Sequence, residues 1–167
     1  MIARVVTLAG GLAGAAGFSQ FPEFSQQYIQ RMGGAVDELG RFVAEFDADA
    51  ASLNVSREQA LIQMRYGGAM GAVRADTMEN TIARHARLSA DLAALEGVGP
   101  FTRAYEMRRF SDSEIAARAW EAYKPAVPLT FEGGVFAGTG FLGGLGLIGG
   151  LIALLRGVFG RRRAQGA

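Results

Sequence analysis

The stretch GGVFAGTGFLGGLGLIGGLIALL, Gly133 to Leu155, constrains this chain more than any other. Its 23 successive residues carry no charge, and 11 of them are Val, Leu, Ile or Phe. About 20 apolar residues suffice for a helix to cross a bilayer core. The nine glycines between Gly133 and Gly150 count against a helix in water, where each costs about 1 kcal/mol relative to alanine. In lipid no water competes for backbone hydrogen bonds, so the same segment stays helical, and its glycines allow close approach of another helix. Gly134 and Gly138, Gly140 and Gly144, and Gly146 and Gly150 form four-residue pairs, and Thr139, Gly143, Gly146, Gly150 and Ala153 form one continuous small stripe. Such a stripe is a helix-packing face.

A second uncharged run, VVTLAGGLAGAAGFSQFP from Val5 to Pro22, follows Arg4. It is poorer in large aliphatics and fits either a transmembrane helix or a cleaved signal peptide. The helical pattern continuing from Pro22 favours a retained helix. Ala3, Thr7, Gly10, Gly14 and Gly17 line one of its faces at spacings of four and three. The expected helix-packing residues are therefore Gly10, Gly14, Gly17, Gly143, Gly146 and Gly150, docking on each other or on copies in other chains.

Charge sets the orientation. All 16 acidic residues lie between Glu23 and Glu132, with 12 of the 17 basic ones, a net of −4. Arg4, Arg156, Arg161, Arg162 and Arg163 flank the apolar runs. Lys and Arg near membrane ends mark the cytoplasmic side, so both termini are expected to be cytoplasmic and the middle of the chain translocated. Arg156, Arg161, Arg162 and Arg163 are expected among anionic lipid headgroups rather than on nucleic acid. The excess of Arg over Lys, 16 to 1 in a chain rich in Ala and Gly, suggests a high-GC bacterial genome.

Between the runs the pattern is helical. Met32, Leu39, Phe46 and Leu53 recur every seven residues, with Tyr28, Ala35 and Phe42 four before them and Ile29, Val36 and Val43 beside them. This predicts an amphipathic helix with a packing partner. Ser56 and Gln59 read as a capping box opening a second helix, expected to run unbroken to about Glu96, where Gly97, Gly99 and Pro100 stop it. Gly68, Gly71 and Ala75 make the middle of its stripe small. A third helical region is divided at Ser111, whose spacing to Glu114 suggests another capping box, and Pro125 and Pro128 end it as a hinge. The expected fold is all-α: an integral membrane protein whose two transmembrane helices bracket an antiparallel, coiled-coil-like periplasmic domain. Its parts are an N-terminal transmembrane helix (1–21), a periplasmic helical domain (22–130), a glycine-rich transmembrane helix (131–158) and a basic cytoplasmic tail (159–167).

The sequence carries no recognisable catalytic constellation. GTGFLGG has the glycine spacing of a dinucleotide fingerprint, but no strand precedes it and it lies inside an apolar span. The chain has one histidine, His85, and no cysteine, so a two-histidine site, a thiol nucleophile and a disulfide are all excluded within one chain. Asp47 and Asp49, two apart, point to different helix faces, and Asp112 and Glu114 are explained by helix capping and dipole effects. No catalytic, cofactor or metal residue is expected, and no cofactor.

The expectation is a non-enzymatic membrane protein that self-associates or joins a larger membrane complex. A ligand sensor acting through a partner is the alternative, since two spans bracketing a helical domain also build receptor input modules. A transporter component is disfavoured by the absence of ionisable residues in either apolar run.

The Pro22-Glu23-Phe24-x-x-Gln27-Tyr28 motif after a short apolar helix, the long helical middle, and YKPAVPLTFEGGVFAG leading into a C-terminal apolar helix carry a resemblance. The chain resembles a proteobacterial family of unknown function, domain-of-unknown-function 2937, over nearly its whole length. It departs from that pattern in the glycine density of its last helix. The resemblance implies an inner-membrane location and assigns neither an activity nor site residues.

Overall fold

The computed structural model describes residues 1–125 and 129–164, with side chains as far as Gly157. Among the described residues the chain is helical without strands: α1 (Ile2–Phe18), α2 (Phe21–Ser52), α3 (Arg57–Tyr66), α4 (Ala69–Leu95), α5 (Pro100–Tyr105), a 3₁₀ turn (Met107–Arg109), α6 (Ser113–Ala122) and α7 (Phe131–Ala164). These form two compact units, Met1–Gln26 with Ala122–Ala167, and Gln27–Glu121.

In the first unit α1 and α7 make the most extensive helix pairing of the molecule. The continuous helical stretch Ile2–Ser52 that begins with α1, and Phe131–Gly157 of α7, are long and apolar enough to cross a membrane, and few residues of their apolar windows are buried within the chain. Val5, Leu8 and Leu12 of α1 and Leu142, Leu147, Leu151 and Leu154 of α7 all stand exposed. α1 stops at Ser19–Gln20, and Phe24 N–H donates to Gln20 O at 3.0 Å to start α2. Pro22 sits in that first turn, where its missing N–H costs nothing. α7 is longer than expected, because its helix continues through the expected boundary at residue 158 to Ala164. Its 34 residues, at 1.5 Å each, span about 51 Å, more than the ~30 Å of a hydrocarbon core. The basic segment therefore begins as helix. Of the two hinge prolines, Pro125 closes the described segment, whereas Pro128 lies outside the described residues.

The second unit is built on α2 and α4, with α3 and α6 packed on them. Tyr28, Met32, Leu88 and Leu95 are its largest fully buried side chains, joined by Val43, Leu61, Ala75, Ile115 and Ala119. The seven-residue series on α2 does not stay in this core. Met32 is buried and Leu39 and Phe46 are half-buried, whereas Leu53 lies in the turn after α2 and is 67% exposed; Val43 and Ala50 of α2 are buried as well.

Two further expectations are corrected. The helix expected from Ser56 to Glu96 breaks at Gly67–Gly68, where Gly68 adopts a φ of +90°, a conformation L side chains rarely take. α3 then packs on α4, and Arg65 reaches Asp76 at 3.0 Å and Glu79 at 2.8 Å. The Ser56–Gln59 box forms as the sequence indicates. The cap of α6 is one residue later than expected: Asp112, not Ser111, accepts from Ile115 N–H at 3.2 Å.

Candidate helix-packing site

α1 and α7 run antiparallel, and their backbones approach through glycine. A Cβ on Gly14 would meet Gly140 O and sit 3.4 Å from Gly144 Cα; one on Gly144 would meet Gly10 O and sit 3.1 Å from Gly11 Cα. A Cβ on Gly140 would meet Gly14 O and lie 2.7 Å from Phe18 Cβ. Gly11 faces the Phe141 ring and Leu145 at 2.8 and 2.9 Å from its would-be Cβ, and Gly10 faces Ile148. At Gly14, Gly140 and Gly144 the obstacles are mostly backbone atoms, which side-chain rearrangement cannot relieve. Small residues are what permit this approach.

The structure divides the expected packing residues. Gly10 and Gly14 lie in the contact, and their partners are Gly140 and Gly144. Gly17, Gly143, Gly146 and Gly150 have no atom of another residue near the position a Cβ would take. At 100° per residue, the Thr139–Gly143–Gly146–Gly150–Ala153 stripe falls on the side of α7 away from Gly140 and Gly144. Thr139, Gly143, Gly146, Gly150 and Ala153 are all exposed.

The two ends of this unit differ in chemistry. At one end Arg4 of α1 and Arg156 of α7 line a common groove of about 460 Å³ with Leu8, Leu145 and Ile152. Side chains of Arg161, Arg162 and Arg163 lie outside the described residues. At the other end the Phe21 and Phe136 rings meet at a tilt of 36° with ring centres 5.2 Å apart, and Phe24 meets Tyr123 edge-on at 6.2 Å. Tyr123 Oη donates to Gln20 Oε1 at 2.5 Å, and Thr130 Oγ1 caps α7 by accepting from Gly133 N–H at 3.0 Å.

The second unit carries a buried polar knot. Asp112 is 6% exposed and receives Arg84 Nε and Nη2, both at 3.1 Å, and Arg87 Nη2 at 3.4 Å. Its own N–H donates to Tyr28 Oη at 3.1 Å. Burial pushes the Asp112 carboxyl up, but the Arg84 hydrogen bond, the Ile115 N–H and the neighbouring guanidinium charges outweigh it and hold it below the ordinary carboxylate value. Burial, ahead of the Asp112 and Asp91 charges, raises the Tyr28 phenol. This knot ties α2, α4 and the start of α6 together. His85 is half-buried, with Nε2 3.1 Å from the place of a Gly40 Cβ, a packing position between α2 and α4. Among the described residues no group of three or more His, Cys, Asp or Glu is placed to hold a metal ion.

A family model described as Protein of unknown function (DUF2937) matches residues 2–161, taking in both long apolar helices and everything between them. The chain belongs to this family. No curated protein matches it, and no solved structure does. The family model therefore contributes kinship without an assigned activity, and the physical arrangement carries the functional argument.

Proposed function

We propose that this chain is a non-enzymatic inner-membrane protein. In this reading α1 and α7 form a hairpin across the bilayer, both termini are cytoplasmic and Gln27–Glu121 is periplasmic. The hairpin associates, with a second copy or within a larger membrane complex, through the outward small-residue face of α7. One observation carries this reading: Gly143, Gly146 and Gly150 face away from α1, in open space, while large aliphatics beside them, Leu142 and Leu147, are exposed as well. In lipid, exposed aliphatics are solvated by acyl chains, whereas a groove of glycines gains dispersion energy only when another helix enters it. Arg4 and Arg156 at one end and the aromatic and amide groups at the other match the two faces of a membrane-spanning hairpin.

The test is self-association in mild detergent. Gly146→Leu and Gly150→Leu are expected to lower the associated fraction in sedimentation equilibrium by about tenfold in association constant, about 1.4 kcal/mol. Leu147→Ile, which keeps its volume, is expected to leave it unchanged. Identical behaviour of all three variants would remove the outward glycine face from the account.

A further inference from the structure

The second unit holds a cavity of about 380 Å³ between α2, α4 and α6, within the size range of small-molecule sites. Arg31 of α2, Arg84 of α4 and Arg118 of α6 reach its wall. Their pairing is uneven. Arg84 is held by Asp112 at 3.1 Å and by Glu114 at 2.9 Å, and Arg118 by Glu114 at 2.7 Å. Glu38, also in the wall, is taken by Arg41. Arg31 is left over: among the described residues its Nε is buried without a hydrogen-bond partner. Its guanidinium carries a full positive charge. The Nε itself is covered, so an anionic acceptor in the cavity compensates this charge through charge-assisted hydrogen bonds to the uncovered part of the guanidinium.

Leu39 and Ile115 supply apolar wall beside Arg31. Gly34 keeps the space open, with no atom within 4 Å of the place of a Cβ. The carboxylates of Glu38 and Glu114 oppose a second negative charge in the same space. We infer that this cavity binds a monocarboxylate with an apolar body, its carboxylate on Arg31 and its body against Leu39 and Ile115. The site lies wholly within Gln27–Glu121 and is independent of the self-association reading.

The probe is 3-phenylpropionate, titrated calorimetrically into the full chain in mild detergent. Saturable binding at one site per chain is expected, weakened at least tenfold by Arg31→Gln. Arg108→Gln, at a side chain 81% exposed and outside the cavity wall, is expected to leave binding unchanged. The uncharged 3-phenylpropionamide should bind at least tenfold more weakly, and equimolar inorganic phosphate should not displace the acid. Gly34→Leu, which fills the open wall, is a second variant expected to abolish binding should Arg31→Gln fail to fold by circular dichroism. No binding of the acid, equal binding of acid and amide, displacement by phosphate, or full binding by either cavity variant overturns the inference.

Discussion

Gly144→Ala places one methyl group where α1 and α7 come closest. The added Cβ would meet the Gly10 carbonyl oxygen and lie 2.9 Å from its carbon and 3.1 Å from Gly11 Cα. Carbon atoms prefer a separation of about 3.5–4.0 Å, so the helices must part by roughly 0.5–1 Å, which forfeits a quarter to a half of the dispersion energy of each affected contact. Overpacking of this kind costs about 1–3 kcal/mol, and the better helix propensity of alanine returns at most about 1 kcal/mol. The expected net loss for the hairpin is about 1–2 kcal/mol. Gly138 has no atom within 4 Å of the place of a Cβ, so Gly138→Ala should lie between neutral and a gain of about 1 kcal/mol. The assay is unfolding by SDS in mixed micelles, followed by energy transfer between labels on Ile2→Cys and Leu155→Cys. Both positions are exposed and on the same end of the hairpin. A shared midpoint for the Gly144 and Gly138 variants would refute glycine-mediated backbone approach.

Two predictions concern the second unit. The folded-state pKa of Asp112 lies below its ordinary value, so its contribution is complete above an unfolded pKa of about 3.9 and is lost as pH falls through the depressed native value; Asp112→Asn should therefore flatten the acid limb of the stability curve, and cost about 2 kcal/mol at neutral pH by unpairing two guanidinium groups, measured by denaturant titration from pH 7 downward. Tyr28→Phe leaves the buried Asp112 N–H without its acceptor and should destabilise the same transition by about 1–2 kcal/mol; no change in midpoint would show that this N–H finds another partner.

What the sequence disclosed was mostly local or periodic. An uncharged run long enough to cross a bilayer is visible without tertiary context, as is the Ser56–Gln59 box. The stop after Leu95 is equally local, because Gly97 takes a φ of +74° there. The misplaced features depend on distant parts of the chain. Gly67 and Gly68 are compatible with either a small helix face or a turn, and only the docking of α3 on α4 selects the turn. Ser111 and Asp112 are both competent caps. Asp112 takes the role while buried against Arg84 and Arg87, residues more than a helix away in sequence. α7 has two small faces with equivalent spacing, one through Gly140 and Gly144 and one through Gly143, Gly146 and Gly150. Periodicity cannot choose between them, since the choice lies in the complementary surface of α1, where Gly11 adds to Gly10 and Gly14. Arg31 gave no signal at all, because a lone arginine on a long helix reads as solvated until the fold buries its Nε beside a cavity.

The central claim, an antiparallel membrane hairpin with its arginine end on one side and Gln27–Glu121 on the other, is tested most directly by accessibility in intact cells. The chain has no cysteine of its own, so Asn80→Cys and Gln165→Cys each introduce a single thiol. The account predicts that a membrane-impermeant maleimide labels the Asn80 variant in intact cells and the Gln165 variant only after the membrane is permeabilised. Labelling of Gln165 with protection of Asn80 would reverse the orientation. Equal labelling of both before permeabilisation would contradict the hairpin itself.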